Sequence, residues 1–141
     1  MAVYLLDTTT FSQLMREEPT VLAQVAALTS ADRLTISSTV RGEILYGLER
    51  LPKGKRRTAL EAKAQHLFAT MGCEPVAAII ADHYARLKRS AEKAGTALDE
   101  NDVWIAATAE ALGAILVTSD SDFSRLPTLK VVNWASGGLT P

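Results

Sequence analysis

The sequence predicts an α/β fold, a three-layer α/β/α sandwich around a mainly parallel central sheet. Short segments rich in aliphatic or β-branched residues, typical of strands, lie at residues 2–6, 34–37, 114–118 and 130–133. Between them, apolar residues recur at the three- and four-residue spacing of one helix face. Because strands separated by helices pair in parallel through crossover connections, we expect helices on both sides of the sheet.

The helices follow from this spacing in chain order. Pro19 is expected to open the second helix, Pro52 with Gly54 to break the chain after the third, and Gly95 to end the fifth. The next segment, DVWIAATAEAL from Asp102, is apolar around most of its circumference and is expected to be a buried helix. The apolar stripes of the four helices before it are Val21, Leu22, Val25 and Leu28; Val40, Ile44 and Leu48; Leu60, Ala64, Leu67 and Met71; and Ile80, Tyr84, Leu87 and Ala91.

The length and composition favour one domain spanning residues 1–141. Of its 141 residues 48% are hydrophobic, which is enough for a sizeable core and argues against intrinsic disorder. Residues 135–141, ASGGLTP, are small and turn-prone, which is typical of a mobile tail. No stretch approaches the roughly 18 apolar residues of a membrane span. The single cysteine, Cys73, rules out an internal disulfide, suits the cytoplasm and is expected to be a small packing residue.

The net charge of −1 argues against the broadly basic surface of a non-specific DNA-binding protein. That value averages unlike regions, because the charge is −2 over residues 1–40, +4 over residues 41–73 and −3 over residues 74–141. The acids of the last region include a run without an intervening Lys or Arg between Lys93 and Arg125. These carboxylates therefore lack counter-ions nearby in the sequence.

Two acids stand directly after predicted strands. Asp7 follows AVYLL and Asp120 follows AILVTS, and open parallel sheets bind ligands beyond the carboxyl ends of their strands. Asp102 heads the apolar helix DVWIAATAEAL, and Glu43 lies on the flank of an apolar stripe. The alternatives are helix caps for the three Asp residues, with Asp99 and Asp102 resembling a capping box, and a surface carboxylate paired with a base for Glu43.

Taken together, these four acids predict a metal site at one edge of the sheet. Carboxylates held close together repel one another, and a divalent cation removes that conflict. Ligation by oxygen alone, without a cluster of Cys or His, indicates Mg²⁺ or Mn²⁺ rather than zinc.

The same residues give the chain a resemblance to the PIN-domain ribonucleases, most closely the VapC-type toxins of bacterial toxin–antitoxin systems. The matching segments are LLDTTTF, ISSTVRGEILYG and DENDVWIAATAEALGAILVTSDSDF. The resemblance places the catalytic and metal-binding acids of that family on Asp7, Glu43, Asp102 and Asp120. It leaves one ambiguity, since Asp99 competes with Asp102 for the third position. It also matches Thr8, Thr118 and Asp122 to supporting positions near the acids.

The resemblance implies an endoribonuclease that depends on Mg²⁺ or Mn²⁺ and cleaves a transfer RNA or ribosomal RNA loop. It further implies a homodimer and a small cognate antitoxin that neutralises the toxin. Tyr46 and Leu48, on the helix after Glu43, are candidates for the antitoxin contact. No membrane partner is expected.

An acidic pocket needs flanking cations if it is to accept a polyanion. The possible RNA-backbone contacts are Arg41, Arg50, Lys53, Lys55, Arg56 and Arg57. Three further cations, Arg86, Arg89 and Lys93, share one face of a predicted helix. A solvated surface is the alternative for each of them, and the aromatic residues of a base-stacking platform are absent from these segments.

Two other classes of function compete with a nuclease. A receiver-like signalling domain also has parallel strands and an acidic Mg²⁺ pocket, although here Asp7 stands alone after the first strand and LTISST contains no phosphoacceptor Asp. A non-catalytic module that binds RNA or protein is the second, since a fold alone does not determine function.

Overall fold

The computed structural model of the chain describes residues 1–96 and 98–137. The strands are β1 (Val3–Leu6), β2 (Arg33–Ser37), β3 (Gly72–Glu74), β4 (Ile115–Val117) and β5 (Lys130–Val132). The helices are α1 (Thr8–Met15), α2 (Pro19–Ala26), α3 (Ser38–Glu49), α4 (Lys55–Thr70), α5 (Ala78–Lys93) and α6 (Glu100–Leu112), followed by the 3₁₀ helix η1 (Ser121–Arg125). None of the helices in these ranges is long and apolar enough to cross a bilayer.

The strands form one parallel sheet in the order β3-β2-β1-β4-β5, flanked by the helices. The predicted α/β/α architecture is therefore confirmed. The first strand lies in the middle, where Leu5 and Leu6 are fully buried and pair in register with β2 on one side and β4 on the other. Parallel strands covered on both faces have the continuous apolar sequence that predicted them.

The short outer strand β3 was not predicted. Its sequence, Gly-Cys-Glu, contains no β-branched residue and no run of apolar residues, so its pairing with β2 leaves no pattern. Cys73 is exposed on this strand, so the expectation that it packs in the interior is wrong. Its Sγ lies 3.8 Å from the hydroxyl of Ser38, the first residue of α3.

The proline and glycine breaks between helices lie where the sequence predicts them, although α2 ends at Ala26, before the last residue of its predicted stripe, Leu28. Pro19 is the first residue of α2, and the chain breaks between α3 and α4 at Pro52 and Gly54. The interior of α6 is buried, including Ile105, as its apolar circumference predicts. Gly113 ends α6 in the left-handed conformation, with φ of 64°, which favours glycine.

Helices α5 and α6 run antiparallel along each other. Nδ1 of His83, early in α5, lies 2.7 Å from Oε1 of Glu110, near the end of α6. Nζ of Lys88, later in α5, lies 2.9 Å from Oε2 of Glu100, the first residue of α6. The end of α5 therefore lies beside the beginning of α6.

The segment after β5 folds back onto the protein. Trp134 is buried and packs against Tyr4, with ring centroids 5.3 Å apart. The carbonyl of Ala135 accepts a hydrogen bond from the hydroxyl of Thr20 at 3.0 Å, so this part of the expected tail contacts α2. The remainder of that expected tail, residues 138–141, lies outside the described residues.

Candidate metal centre

The register of the two central strands brings the first candidate acid to the end of β4. Leu6 pairs with Val117, and the N–H of Asp7 donates to the carbonyl of Val117 at 3.1 Å. Asp7 therefore lies beside Thr118, the residue that follows β4. Both strands end at this edge because they are parallel, as the sequence reasoning required.

Asp7 is buried, with only 5% of its surface exposed. Its Oδ1 accepts the N–H of Thr10 at 2.8 Å and caps α1, while the hydroxyl of Thr10 donates to the carbonyl of Val117 at 3.0 Å. Burial raises the pKa of Asp7, whereas hydrogen bonds from Thr118 and Thr10 lower it and repulsion from Asp120 raises it further. Burial outweighs the hydrogen bonds, so the charged form of Asp7 is disfavoured here.

Asp120 is held by the same strand end. Its N–H donates to the Thr118 hydroxyl at 3.0 Å, and its Oδ1 accepts the N–H of Asp122 at 2.9 Å and caps η1. Thr118 thus interacts with both Asp7 and Asp120, which links the two acids. Asp122 contacts Asp120 through its backbone.

Glu43 reaches the same edge from α3. Ser37 caps α3 by accepting the N–H of Val40 at 3.1 Å, which begins the helix immediately after β2. Oε1 of Glu43 accepts the hydroxyl of Thr8 at 2.5 Å, and Oε2 accepts the amide of Asn101 at 3.3 Å. Glu43 makes no ion pair with any of the described residues, so the alternative of a carboxylate paired with a base does not hold in this part of the chain.

Asp99 and Asp102 form the beginning of α6. Oδ1 of Asp99 accepts the N–H of Asp102 at 2.8 Å, so the predicted cap is confirmed. Asp102 lies in the first turn of the helix, and its pKa is raised to about 7. Burial is the largest cause, followed by repulsion from Asp99, Glu43, Asp120 and Asp7. Electrostatic repulsion from the other acids at this edge therefore acts on the carboxyl group of Asp102.

These side chains line one cavity of about 250 Å³. It contains all four acids that the sequence singled out and adds Asp99, which was the unresolved competitor for the third position. The residues that line it are Asp7, Thr8, Thr9, Glu43, Asp99, Asp102, Asp120 and Phe123. The predicted convergence of separate elements at one sheet edge is thus present in the fold.

The donor set of this acidic cavity is made of carboxylate and hydroxyl oxygens, which suits a hard divalent cation. The accumulated repulsion that raises the pKa of Asp102 is the conflict that such a cation relieves. In the arrangement that the described residues adopt, no group of three or more His, Cys, Asp or Glu side chains could by itself hold a metal ion. The chemistry of the residues fits a cation, while the carboxylates are oriented toward neighbouring hydrogen-bond donors.

The basic residues named as possible RNA contacts occupy different environments. The guanidinium of Arg41 lies 4.3 Å from the ring centre of Phe68, and that of Arg57 pairs with Glu49 and Glu61. Arg41 therefore packs on an aromatic ring, and Arg57 forms two ion pairs within the fold. Arg50 lies over the ring of Tyr46, Lys53 and Lys55 border the loop before α4, and Arg56 lines a cavity of about 270 Å³ with Thr8 and Glu43.

Sequence reasoning missed two residues that hold the acids. Asn101 donates to Glu43 from the exposed beginning of α6, and a lone amide leaves no sequence signal. Thr10 is buried and contacts both Asp7 and the end of β4. The run Thr-Thr-Thr after Asp7 was the available signal, since a hydroxyl three residues after a capping Asp lies in the first turn.

The strand order separates this fold from the receiver-like alternative. Receiver-type domains of the flavodoxin-like class have the order 2-1-3-4-5. Here the order is β3-β2-β1-β4-β5, which keeps β1 between β2 and β4. Asp7 and Asp120 consequently lie where the neighbouring strands β1 and β4 end.

Comparisons with known proteins agree with this geometry. The PIN domain family matches residues 4–129. Ribonuclease VapC1 of Haemophilus influenzae is 28% identical, with 94% of this chain and 98% of that protein covered. VapC ribonuclease Y4jK of Sinorhizobium fredii is 32% identical, covering 91% and 94%. The crystal structure of VapBC2 from Rickettsia felis bound to a DNA fragment from their promoter has a TM-score of 0.85 at 26% identity, covering 94% and 98%. The chain therefore belongs to the PIN domain family and, within it, to the VapC ribonucleases.

Proposed function

We propose that this VapC ribonuclease hydrolyses phosphodiester bonds of RNA at the acidic cavity with Mg²⁺ or Mn²⁺, and that it is a toxin neutralised by a cognate antitoxin. The observation that carries the metal dependence is the convergence of Asp7, Glu43, Asp102 and Asp120 on one cavity. Their mutual repulsion has no counter-charge among the residues that line it. The proposed substrate is a transfer RNA or ribosomal RNA loop, and the proposed compartment is the cytoplasm.

Asp7 and Asp120 are the proposed principal ligands, with Glu43 and Asp102 completing the site or orienting water. Mg²⁺ commonly keeps several waters and uses one or two protein carboxylates, which fits acids that already accept hydrogen bonds from their neighbours. A bound cation would lower the pKa of a water molecule and offset charge on the phosphoryl oxygens. Asp99 lines the same cavity and is an additional candidate for contact with the cation's water shell.

The neighbouring polar residues would keep these carboxylates in position. Thr8 holds Glu43 against α1, and Thr118 contacts both Asp7 and Asp120. Asp122 fixes Asp120 through its N–H. Outer hydrogen bonds of this kind orient metal ligands and commonly contribute roughly 10- to 100-fold to metal affinity or activity.

The RNA contacts proposed from the sequence remain Arg41, Arg50, Lys53, Lys55, Arg56 and Arg57. Arg56 has the strongest support, because it shares a cavity with Thr8 and Glu43. Arg57 has the weakest, since its side chain is mostly buried and donates to the carbonyl of Leu51.

The cavity of about 270 Å³ that Arg56 lines also has an apolar part, and this groove is the proposed antitoxin site. Structures similar to this chain are toxin–antitoxin complexes, including VapBC-1 from nontypeable Haemophilus influenzae at 25% identity and a TM-score of 0.80. The groove lies among α1, α3 and α4 and includes Met15, Ile44, Leu48 and Leu60. Tyr46, named with Leu48 from the sequence, is exposed on the same helix. Purified toxin and antitoxin should co-elute in size-exclusion chromatography, and Leu48→Glu should prevent this.

The homodimer that the resemblance implies is also proposed for this chain. Val76 and Ile79, at the beginning of α5, are more than half exposed and provide apolar surface for it. Light scattering of the purified chain should give twice the monomer mass of 15.2 kDa. A monomer at micromolar concentration would contradict the proposal.

Cleavage of RNA by purified protein tests the metal mechanism. With Mg²⁺ or Mn²⁺ the chain should cut structured RNA, and a chelator should abolish the activity. Asp7→Asn keeps the shape of the side chain and the α1 cap but removes a charged ligand, so activity should fall by at least about 100-fold. The matched control is Asp82→Asn on the exposed face of α5, which should cleave normally. Cleavage that survives chelation, or that Asp7→Asn leaves intact, would refute the mechanism.

A further inference from the structure

A further cavity, of about 800 Å³, lies between α5 and the segment around the end of η1. Three cations of α5, Arg86, Arg89 and Lys93, line it from one side, and Arg125, the last residue of η1, lines it from the other. All four side chains are exposed. No carboxylate is among the residues that line this cavity. These four cations are called the α5–η1 basic surface below.

Most of this positive charge is not neutralised by the protein. Arg89 pairs with Glu92 at 3.4 Å, but both side chains are more than half exposed, and such surface pairs contribute little. The positive charge of Arg86 lowers the pKa of Glu110, whose carboxylate already forms hydrogen bonds with His83 and Thr128. Lys93 and Arg125 form no ion pair within residues 1–96 and 98–137. The surface is therefore free to bind an anion.

The position of the basic surface connects it to the acidic cavity. Because α5 and α6 are antiparallel, Lys93 at the end of α5 lies at the same end of the helix pair as Asp102. On the other side, η1 is capped by Asp120 and ends at Arg125, which is about 10 Å along a 3₁₀ helix. One wall of the basic surface thus begins at the proposed ligand Asp120, and the other is on α5, which packs against the helix that carries Asp102.

The chemistry of the surface selects a phosphate backbone. Arg and Lys side chains are the principal donors to phosphate oxygens, and backbone contacts of this kind position a nucleic acid without reading its sequence. No aromatic side chain lines the cavity, so stacking of unpaired bases is not provided there. An acidic centre repels RNA, and cations set to one side of it supply the attraction that brings the strand to the acids.

We propose that Arg86, Arg89, Lys93 and Arg125 bind the phosphate backbone of the RNA substrate and hold it beside the acidic cavity. This proposal rests on the proposed ribonuclease function and adds a positioning surface to it. The surface is on α5 and η1, away from the cluster at residues 50–57 that the sequence suggested. It makes RNA affinity depend on salt concentration, since each phosphate contact releases counter-ions.

The test measures RNA binding separately from cleavage. The probe is unfractionated transfer RNA, titrated in Mg²⁺ against protein that carries Asp7→Asn so that it is not cut. In this background, Arg89→Gln with Lys93→Gln and Arg125→Gln should weaken binding by about 10- to 100-fold and reduce the slope of log affinity against log salt by about 2. The matched control, Arg33→Gln with Lys63→Gln and Lys130→Gln, changes the net charge equally at sites outside this surface and should bind as the parent protein does.

Equal RNA binding by the two triple variants would overturn the proposal. So would loss of antitoxin binding with unchanged RNA binding in the first triple variant, because that result assigns the surface to an acidic protein partner. If the first triple variant does not fold, as judged by circular dichroism, the single variants Lys93→Gln and Arg125→Gln on exposed side chains replace it, with about 3- to 5-fold weaker binding expected for each. The proposed function fails independently, when the unmutated chain shows no chelator-sensitive cleavage of the same RNA.

Discussion

At the scale of single residues, the acids of the cavity serve as helix caps as well. Asp7, Asp99 and Asp120 each accept a backbone N–H with one carboxylate oxygen. Sequence reasoning set capping against metal binding as alternative interpretations. A carboxylate has two oxygens and about four lone-pair sites, so one side chain can do both. The caps fix the direction of each acid and thereby contribute to the shape of the site.

Asp7, Asp120 and Asp102 were accessible to sequence reasoning because they follow recognisable strands or head a recognisable helix, and Glu43 was accessible from its place on the flank of an apolar stripe. Their supporting contacts were not. The bond from the Thr10 N–H to Asp7 is the local cap of α1. The bond from Asn101 to Glu43 and the bond from the Thr10 hydroxyl to Val117 join segments that lie far apart in the sequence. Such bonds depend on tertiary placement, which a spacing pattern does not encode.

Replacing Asp102 by Asn should stabilise the protein at neutral pH in the absence of a divalent cation. The folded pKa of Asp102 is raised from 3.8 to about 7, so the carboxyl group destabilises the fold increasingly as the pH rises from about 4 to 7. The penalty is absent below the unfolded pKa and complete above the folded one. Discounted for partial exposure, its removal should increase the free energy of unfolding by about 1–2 kcal/mol.

Urea unfolding in a chelator at pH 5 and pH 8 measures this effect. The gain of Asp102→Asn over the parent protein should be larger at pH 8 than at pH 5. A stability loss that is equal at both pH values would instead indicate that Asp102 has a purely structural role. Activity should fall in the same variant, since the proposed site loses a charge.

At the scale of elements, four of the five strands were predictable, including the edge strand β5, and the other edge strand, β3, was not. β1 and β4 are buried on both faces and must be apolar, so their sequences identify them. β5 contains a buried valine, whereas none of the three residues of β3 is buried, so nothing constrains the composition of β3 to that of a strand. The failure to predict β3 did not affect the prediction of the acidic site, because none of the candidate acids is on β3.

The glycines of α3 and α6 should respond to alanine in opposite directions. Gly113 has φ of 64°, and alanine there should cost about 1 kcal/mol because the left-handed conformation disfavours a Cβ. Gly42 lies within α3, and alanine there should stabilise by about 0.5–1 kcal/mol because it restricts the unfolded chain. A Cβ at either position meets nothing within 4 Å, so sterics do not enter the comparison. Thermal unfolding of both variants measures the difference, and a gain from Gly113→Ala would contradict it.

At the scale of the whole molecule, the net charge of −1 averages an acidic surface and a basic surface. Carboxylates gather at the carboxyl edge of the sheet, while cations border it on α5 and η1. The net charge of the chain thus describes neither surface. Regional charge in the sequence indicated a basic middle segment, but tertiary folding brings Arg125 to α5, which no count along the chain could predict.

Binding of Mg²⁺ or Mn²⁺ should stabilise the folded protein, because the cation binds the native site and relieves repulsion there. At a cation concentration about ten times its Kd, the melting temperature should rise by about 4 °C. Asp7→Asn and Asp120→Asn should each remove most of that rise, whereas Asp82→Asn should keep it. Scanning calorimetry at constant ionic strength measures the shift, and an equal rise in all variants would mean that the cation acts elsewhere.

The central position of β1 also affects how the enzyme is made. β1 is synthesised first, yet one of its two neighbours is β4, and Asp120 follows β4 near the end of the chain. A nascent chain on the ribosome therefore cannot complete the sheet or assemble the acidic cavity until almost all of its residues have emerged. For a ribonuclease, this order delays assembly of the proposed site, and a chain that terminates before Asp120 lacks one of its four acids.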